Sequence, residues 1–209
     1  VLSQVWLFAY NYVQWGHWSG PPDFVQAHRH TDGLRGTVAN LVRYLLQSFH
    51  LLTPTDLLSQ QLTGHKLSET IAHFYYEVLY PLWNDAGARW NSDTVPFAIG
   101  GRRWGDGENG AWFGPLGFFL VLPAIGYALV RGSGPLRALA IALICYAVLV
   151  SWQVAWMPWN GRFFSLFFVV AGSAVAWMLG HYAHRTVLLR TIQALSLLIL
   201  FYGCMFNQQ

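Results

Sequence analysis

Acidic residues are missing from the second half of this sequence. All nine Asp and Glu residues lie at or before Glu108, and residues 109–209 contain none. Charged residues make up 10% of the chain and hydrophobic residues 55%, whereas soluble domains carry roughly 25% charged residues. A stretch of this length without a carboxylate is atypical of a soluble domain and typical of a membrane bundle with arginines at its edges.

Clustered basic residues and paired cysteines are also scarce. The net charge is only +3 and the basic residues are scattered singly, so the clustered basic face that nucleic-acid binding needs is absent and we expect no nucleic-acid partner. The two cysteines, Cys145 and Cys204, both lie inside apolar runs. This placement argues against a disulfide framework, and it favours the interpretation that both cysteines are small buried residues.

Four long apolar runs predict transmembrane helices in residues 112–209. They are Trp112–Val130, Ala138–Trp156, Phe163–Gly180 and Val187–Phe206. Each run is near the roughly 20 residues that a helix needs to cross the hydrocarbon core. Because lipid offers no partners to backbone groups, helices are the expected structure. The predicted fold is therefore an all-α membrane protein with about four transmembrane helices.

The arginines predict how these helices are oriented. Arg131 and Arg137 lie between the first and second runs, and Arg185 and Arg190 lie between or near the third and fourth. The loop between the second and third runs has Arg162 alone. Arginines in short loops mark the cytoplasmic side. We therefore expect the region before the first span, the Arg162 loop and the C-terminus to be external.

The front region, residues 1–111, predicts an external helical cap on the membrane surface. Beyond residue 22 it has no run of 18 residues without Asp, Glu, Lys or Arg. Residues 1–12 fit either the end of a further span or an interfacial helix. Eight tryptophans fall where the external interface is expected, as in an aromatic belt. They are Trp15, Trp18, Trp83, Trp90, Trp104, Trp112, Trp156 and Trp159.

Three helices are predicted within this cap. The segment Leu34–Leu52 is amphipathic, with one apolar face and four polar residues elsewhere. The apolar face contains Leu34, Val38, Leu41, Leu45, Phe49 and Leu52, and the polar residues are Arg35, Asn40, Arg43 and Gln47. Shorter helices are predicted at Thr55–Leu62 and at Leu67–Tyr80, the latter ended by Pro81. Residues 84–109 are predicted to be a loop.

Two segments contain candidate binding residues. Asp106 and Glu108 lie two residues apart in a Gly-rich loop before the first span. They suit a metal or a general base, or else a solvated turn at a helix N-terminus. In the predicted external loop, Asn160 and Arg162 lie two residues apart, separated by Gly161. Arg162 suits either a clamp for phosphate or carboxylate, or an interfacial anchor.

Two histidine pairs are weaker candidates. His28, His30 and Asp32 alternate as metal ligands can, but without a second cluster a polar surface loop is favoured. His181 and His184 lie at the end of the third run, where interfacial polar residues are favoured over ligands.

Several short motifs resemble a known family. They are Glu108–Phe118 leading into an apolar helix, Trp156–Phe163 before a later span, Asn11–Gly16 after an apolar run, and the helix around Ala39–Arg43. Together they are similar to the C-terminal part of bacterial polytopic glycosyltransferases of the GT-C type, in the superfamily of protein mannosyltransferases. The resemblance covers most of this chain but only that part of the family.

The resemblance implies transfer of a sugar from a polyprenyl-phosphate donor at the external face of the bacterial inner membrane. It implies that Asp106, Glu108, Asn160 and Arg162 contact the donor phosphate, the substrate or a divalent metal. No catalytic residue or metal ligand can be assigned, because in this family the catalytic carboxylate lies in an earlier external loop. We therefore expect no activity from these residues alone, and an upstream segment as the partner that supplies the base.

The alternative is a non-catalytic structural or accessory subunit of a larger respiratory, photosynthetic or transport complex. Its partners would be membrane lipid and other membrane-protein subunits. A transporter is less favoured, because polar residues should then lie at mid-membrane. The candidates Ser151, Gln153 and Ser165 instead lie near one end of their helices.

Overall fold

All regular secondary structure in the described part of the chain is helical. The computed structural model describes residues 2–18, 20–49, 53–89, 97, 99, 114–158 and 160–206. An isolated parallel bridge joins Ala88 to Trp156. The all-helical prediction is confirmed.

The front region contains helices of two to four turns, with a short sixth helix at the end. They are α1 (Leu2–Trp15), α2 (Pro22–His28), α3 (Gly33–Gln47), α4 (Thr53–Thr63), α5 (Leu67–Phe74) and α6 (Tyr80–Trp83). The later helices are longer and mostly apolar. They are α7 (Leu122–Arg131), α8 (Gly134–Gln153), α9 (Ser165–His181) and α10 (Thr186–Phe206).

Each of the four predicted apolar runs overlaps one of the later helices, but the boundaries differ. The second run was expected to reach Trp156, yet α8 ends at Gln153 and the chain becomes extended at Val154. The third helix begins only after a 3-10 turn at Asn160–Phe164. Trp112, predicted to start the first run, lies outside the described residues.

Two prolines lie inside continuous helical segments rather than ending them. A π-helical turn at Tyr75–Leu79 precedes Pro81, and another at Gly117–Val121 precedes Pro123. Proline normally clashes with the carbonyl four residues earlier and lacks the N–H of an α-helical bond. The wider turn displaces that carbonyl, so the helix continues to Trp83 and the prediction that Pro81 ends it is wrong.

Helices α7, α8 and α9 pack against one another through small residues. Ala124, Ala128, Ala140, Ala171 and Ala174 are all fully buried, and alanine lets helix backbones approach closely. The four-residue spacing of Gly172, Ala176 and Gly180 in α9 predicts a stripe that packs in the bundle. The stripe does not belong to this contact, because all three residues are exposed and a Cβ at either glycine would meet nothing within 4 Å. The helices therefore meet through the neighbouring face of α9.

Helix α3 packs across one end of these three helices. Its Asn40 side chain bonds the carbonyls of Ser151 and Val154 at the end of α8. Its C-terminal Ser48 lies beside Gly117 in the turn before α7, since a Cβ at Gly117 would be 3.2 Å from the Ser48 carbonyl oxygen. The front region and the later helices thus share one packed interface.

The amphipathic character of α3 is inverted relative to that of a soluble protein. Arg43 and Gln47 are only 2% and 4% exposed, whereas Leu34 and Leu45 on the apolar face are 71% and 45% exposed. An amphipathic helix of a soluble protein normally turns its apolar stripe toward the core. Here the polar stripe faces the interior and the apolar stripe faces outward.

Within the described residues, one helix is long and apolar enough to cross a membrane by length and composition. It is α8, and only 17% of its apolar window is buried. Three further helices are apolar but shorter than the 18 residues required, counting only residues whose side chains are described. They are Gly117–Arg131, Ser165–His181 and Thr186–Phe201.

Gly36 and Gly87 allow α3 to approach the turn that follows α6. Gly87 has φ +78°, and a Cβ there would overlap the Gly36 carbonyl oxygen and lie 2.8 Å from Asn40 Oδ1. A Cβ at Gly36 would lie 2.7 Å from His30 Nδ1. Only glycine fits the backbone conformation and the space at position 87.

We expect Gly87→Ala to destabilise the protein by about 2–4 kcal/mol, because left-handed strain and overpacking add. Thermal unfolding in a neutral detergent measures the effect. Gly172→Ala is the matched control, since its site is an open helix position, and its melting temperature should equal or slightly exceed that of the wild type. Equal melting temperatures for the two variants would contradict the close approach at Gly87.

Candidate functional site

A buried arginine lies at the centre of the interface between α3 and the rest of the molecule. Arg43 Nε donates to Tyr75 Oη at 2.9 Å, and Nη1 donates to Asn40 Oδ1 at 3.0 Å and to the Ala86 carbonyl at 2.7 Å. Nη2 donates to the Asn84 carbonyl at 2.9 Å. Four of the five guanidinium donors are therefore paired with neutral acceptors.

Arg43 forms no ion pair with any residue in the described part of the chain. A buried charge without compensation is costly, but two of its acceptors lie just beyond the C-terminus of the helical segment that ends at Trp83. The carbonyls of a helix C-terminus carry partial negative charge. The guanidinium also lies over the Trp156 ring, 5.8 Å from its centroid. The helix end and the indole replace the missing carboxylate.

Asn40 joins three parts of the chain through one amide group. Its Nδ2 donates to the carbonyl of Gly87 at 3.0 Å, and it reaches those of Ser151 and Val154 at 3.3 Å and 3.2 Å. Its Oδ1 accepts from Arg43. The side chain is fully buried. Its amide therefore provides hydrogen bonds to main-chain carbonyls at the end of α8 that water cannot reach.

The segment after α8 is held in place by further polar contacts. Trp156 Nε1 donates to Gln47 Oε1 at 2.9 Å, and the Trp156 N–H donates to the Gly87 carbonyl at 2.7 Å. The carbonyl of Trp156 accepts from the Arg89 N–H at 3.1 Å. Two main-chain bonds and one side-chain bond therefore fix Trp156 under Arg43.

Asn160 is part of this buried network rather than of a surface groove. Its Nδ2 donates to Tyr44 Oη at 2.8 Å and to the Ala155 carbonyl at 2.9 Å. Its Oδ1 is buried and has no hydrogen-bond partner among the described residues. In this position the amide holds the loop before α9, and its assignment to a donor site stays a prediction. Burial also raises the pKa of Tyr44 above its ordinary value, with smaller opposing effects from Asn160 and Arg43.

The other predicted site residues are not brought together in the described structure. Asp106 and Glu108 lie outside the described residues. Arg162 lies in the 3-10 turn before α9, but its side chain is not among those described. These three assignments stay predictions.

The predicted histidine clusters make hydrogen bonds within the protein. His30 Nε2 pairs with the Ser151 carbonyl at 2.8 Å, and Asp32 Oδ2 accepts from the Gly87 N–H at 2.7 Å. His28 Nδ1 pairs with the Phe24 carbonyl at 2.8 Å. No group of three or more potential metal ligands lies together in the described residues.

Sequence reasoning did not identify the buried cluster. The sequence pattern places Asn40, Arg43 and Gln47 away from the apolar face of α3 and does not predict that they are buried. Their spacing of three and four residues places them on one helix face, which could have indicated a polar contact surface. Nothing in that spacing says whether the polar or the apolar face turns inward.

Comparison with protein-family models, with curated proteins and with solved structures finds no match to this chain.

We expect Arg43→Lys to destabilise the protein by about 2–4 kcal/mol, although the charge is kept, because an ammonium cannot reproduce the fork of bonds to Tyr75, Ala86 and Asn84. Thermal or denaturant unfolding in detergent measures the loss. Arg35→Lys is the control, since Arg35 makes one exposed bond to the Leu82 carbonyl and should change stability by less than about 0.5 kcal/mol. A similar small effect at Arg43 would show that the buried contacts contribute little.

The raised pKa of Tyr44 predicts a pH dependence. Because the folded state holds this proton more tightly, its stabilisation is complete below the unfolded pKa of about 10 and falls as pH rises further. We expect the stability difference between wild type and Tyr44→Phe to shrink between about pH 9 and pH 11. The exposed Tyr182 gives the control variant Tyr182→Phe, which removes a hydroxyl from the surface instead of from the interior. A stability difference for Tyr44→Phe that does not change with pH would contradict burial of an un-ionised hydroxyl.

Proposed function

We propose that this chain is a membrane-embedded helical component, with α7 to α10 spanning the bilayer and the front region capping their external end. The proposal extends to a role as the C-terminal part of a lipid-phosphate-sugar-dependent glycosyltransferase, without transfer activity of its own. The single observation that supports membrane embedding best is the inverted polarity of α3 and its neighbours. Asn40, Arg43 and Gln47 of α3 lie in the interior among buried apolar residues, whereas many large apolar side chains lie on the outside.

The later helices support the same proposal. Beyond one stripe of partly buried residues, α10 presents large apolar side chains outward along its length. The exposed ones are Val187, Leu188, Leu195, Leu197, Leu198, Leu200 and Phe201. Moving one such side chain from water to hydrocarbon is favourable by roughly 1.5–3 kcal/mol. For seven the gain is on the order of 10 kcal/mol, comparable to the whole stability of a typical domain.

The lengths of α7 and α9 are compatible with spanning when the turns before them are included. The π turn and α7 together run from Gly117 to Arg131, and the 3-10 turn and α9 run from Asn160 to His181. The second of these reaches the roughly 20 residues of a typical span. A shorter apolar helix is accommodated by local thinning of the bilayer or by flanking residues.

The orientation is supported by the clustering of arginines at one end of the bundle. Arg131 ends α7, Arg137 lies in the first turn of α8, and Arg185 and Arg190 flank the start of α10. Tyr127 packs on Trp177 near the same end, with ring centroids 5.2 Å apart, as in an aromatic belt. We assign this end to the cytoplasm and the α3 end to the outside.

The alternative role, as an accessory subunit in a larger membrane complex, is favoured by one specific feature. Wherever its side chains are described, α1 is exposed or partly exposed, including Trp6, Phe8, Tyr12 and Trp15. A mostly apolar helix with this many exposed aromatic side chains needs lipid or protein around it. In the glycosyltransferase proposal that cover is lipid and an upstream segment, and in the accessory proposal it is another subunit.

Topology labelling tests the proposed membrane location. In a Cys145→Ser/Cys204→Ser background, single cysteines replace Ser133 at the arginine end and His65 between α4 and α5. We expect a membrane-impermeant maleimide to label position 65 from the outside of intact cells, and position 133 only after the membrane is opened. Equal labelling of both positions from outside, or release of the protein by alkaline carbonate, would refute the membrane proposal.

Purification in a mild detergent separates the two roles. The glycosyltransferase proposal predicts that the chain elutes without other membrane subunits, whereas the accessory proposal predicts stoichiometric partner subunits. Mass spectrometry of the eluted fraction distinguishes them. A lone chain in digitonin would argue against the accessory role.

A further inference from the structure

Two cavities meet at the C-terminal end of α2, on the side of α3 that faces the end of α8. Their volumes are about 560 Å³ and about 600 Å³, and Gln26 and Arg29 line both of them. Each cavity is the size of a small-molecule site. They border the buried network around Arg43, because the lining residue Val154 accepts a hydrogen bond from Asn40.

The main chain beside these cavities is held firmly. The Ala155 N–H donates to the His28 carbonyl at 2.8 Å, and the Arg89 guanidinium donates to the Ala27 carbonyl. These bonds fix the last turn of α2 against the segment after α8. The cavity walls near Arg29 are therefore set by the main chain.

The Arg29 side chain, in contrast, forms no hydrogen bond or ion pair with any described residue. None of the residues that line either cavity is acidic. The nearest carboxylates in sequence are Asp32, which accepts the Gly87 N–H, and Asp23, in the first turn of α2. The exposed guanidinium thus lines an open cleft in which no described wall residue carries the opposite charge.

The other lining side chains combine hydrogen-bond donors with apolar surface. His17, His28, Gln26 and Gln153 can donate to an anion. Pro22, Phe24, Val25 and Phe163 line the second cavity, and Trp152 lines the first. Leu149 on α8 and Leu166 on α9 are exposed further along these helices. A charged group at Arg29 would have an apolar surface directly next to it.

We propose that this Arg29 cleft binds the phosphate group of an anionic amphiphile, with the hydrocarbon part lying on the adjacent apolar surface. An arginine fork suits a phosphate because it donates two parallel hydrogen bonds to it. The inference rests on the proposed membrane location, since that location places the cleft at a lipid interface. In this cleft Arg29 anchors the phosphate of the ligand.

The test uses the full chain, purified in a neutral detergent, with three probes below their micellar concentrations. They are a short-chain phosphatidic acid, the diacylglycerol with the same acyl chains, and inorganic phosphate. We expect the phosphatidic acid to bind at least tenfold more tightly than either other probe. Arg29→Gln should weaken its binding by about tenfold, the effect of losing a hydrogen-bonded charge. Calorimetry measures all three affinities.

Arg190→Gln is the matched control, because Arg190 is an exposed arginine at the opposite end of the bundle. It should leave the affinity unchanged, and both variants should melt at the wild-type temperature. Equal effects of the two substitutions, or equal binding of the diacylglycerol, would overturn the proposal. If inorganic phosphate bound as tightly as the phosphatidic acid, the hydrocarbon part would not contribute and the proposal of an amphiphilic ligand would be overturned. Carbonate extraction tests the membrane location alone, so failure of the proposed phosphate site can be distinguished from failure of the membrane proposal.

Discussion

The guanidinium of Arg43 sets the constraint on which the rest of the structure depends. A charge placed inside the molecule needs acceptors on several sides, and here they come from α3, Tyr75 and the turn after α6. That turn must then lie against α3, which requires glycine at positions 36 and 87. Trp156 completes the cluster by packing its ring near the guanidinium, so the segment after α8 is fixed by the same charge.

Turning the polar face of α3 inward also decides what the outside of the molecule is made of. Once Asn40, Arg43 and Gln47 face the interior, Leu34 and Leu45 on the opposite side must face outward. In water this arrangement would forfeit the burial of apolar surface that normally stabilises a fold. In hydrocarbon it is favourable, because polar groups are satisfied internally and apolar groups contact lipid. The proposed membrane location therefore explains both the inward polar face of α3 and the outward apolar side chains of the later helices.

Much of the secondary structure could be predicted from the sequence, because helix periodicity and apolar runs are local signals. The helices α3, α4, α8, α9 and α10 lie close to their predicted positions. Pro81 was misread, since a π turn that accommodates proline has no clear local signature. The burial of Arg43 and Asn160 could not be predicted, because it depends on acceptors such as Ala86, Tyr44 and Ala155 that are distant in sequence. Long-range contacts of this kind leave no periodic trace.

The most direct test is the environment of the outward face of α3. Spin labels at Val38 and Leu45, and at the loop residue His65 as a control, report collisions with oxygen, which partitions into lipid, and with a water-soluble nickel chelate. The structure and the proposed membrane location together predict that oxygen collisions dominate at Val38 and Leu45, and that nickel collisions dominate at His65. If nickel collisions at Leu45 were as frequent as those at His65, the outward apolar face of α3 would be in water, which would contradict its proposed contact with hydrocarbon.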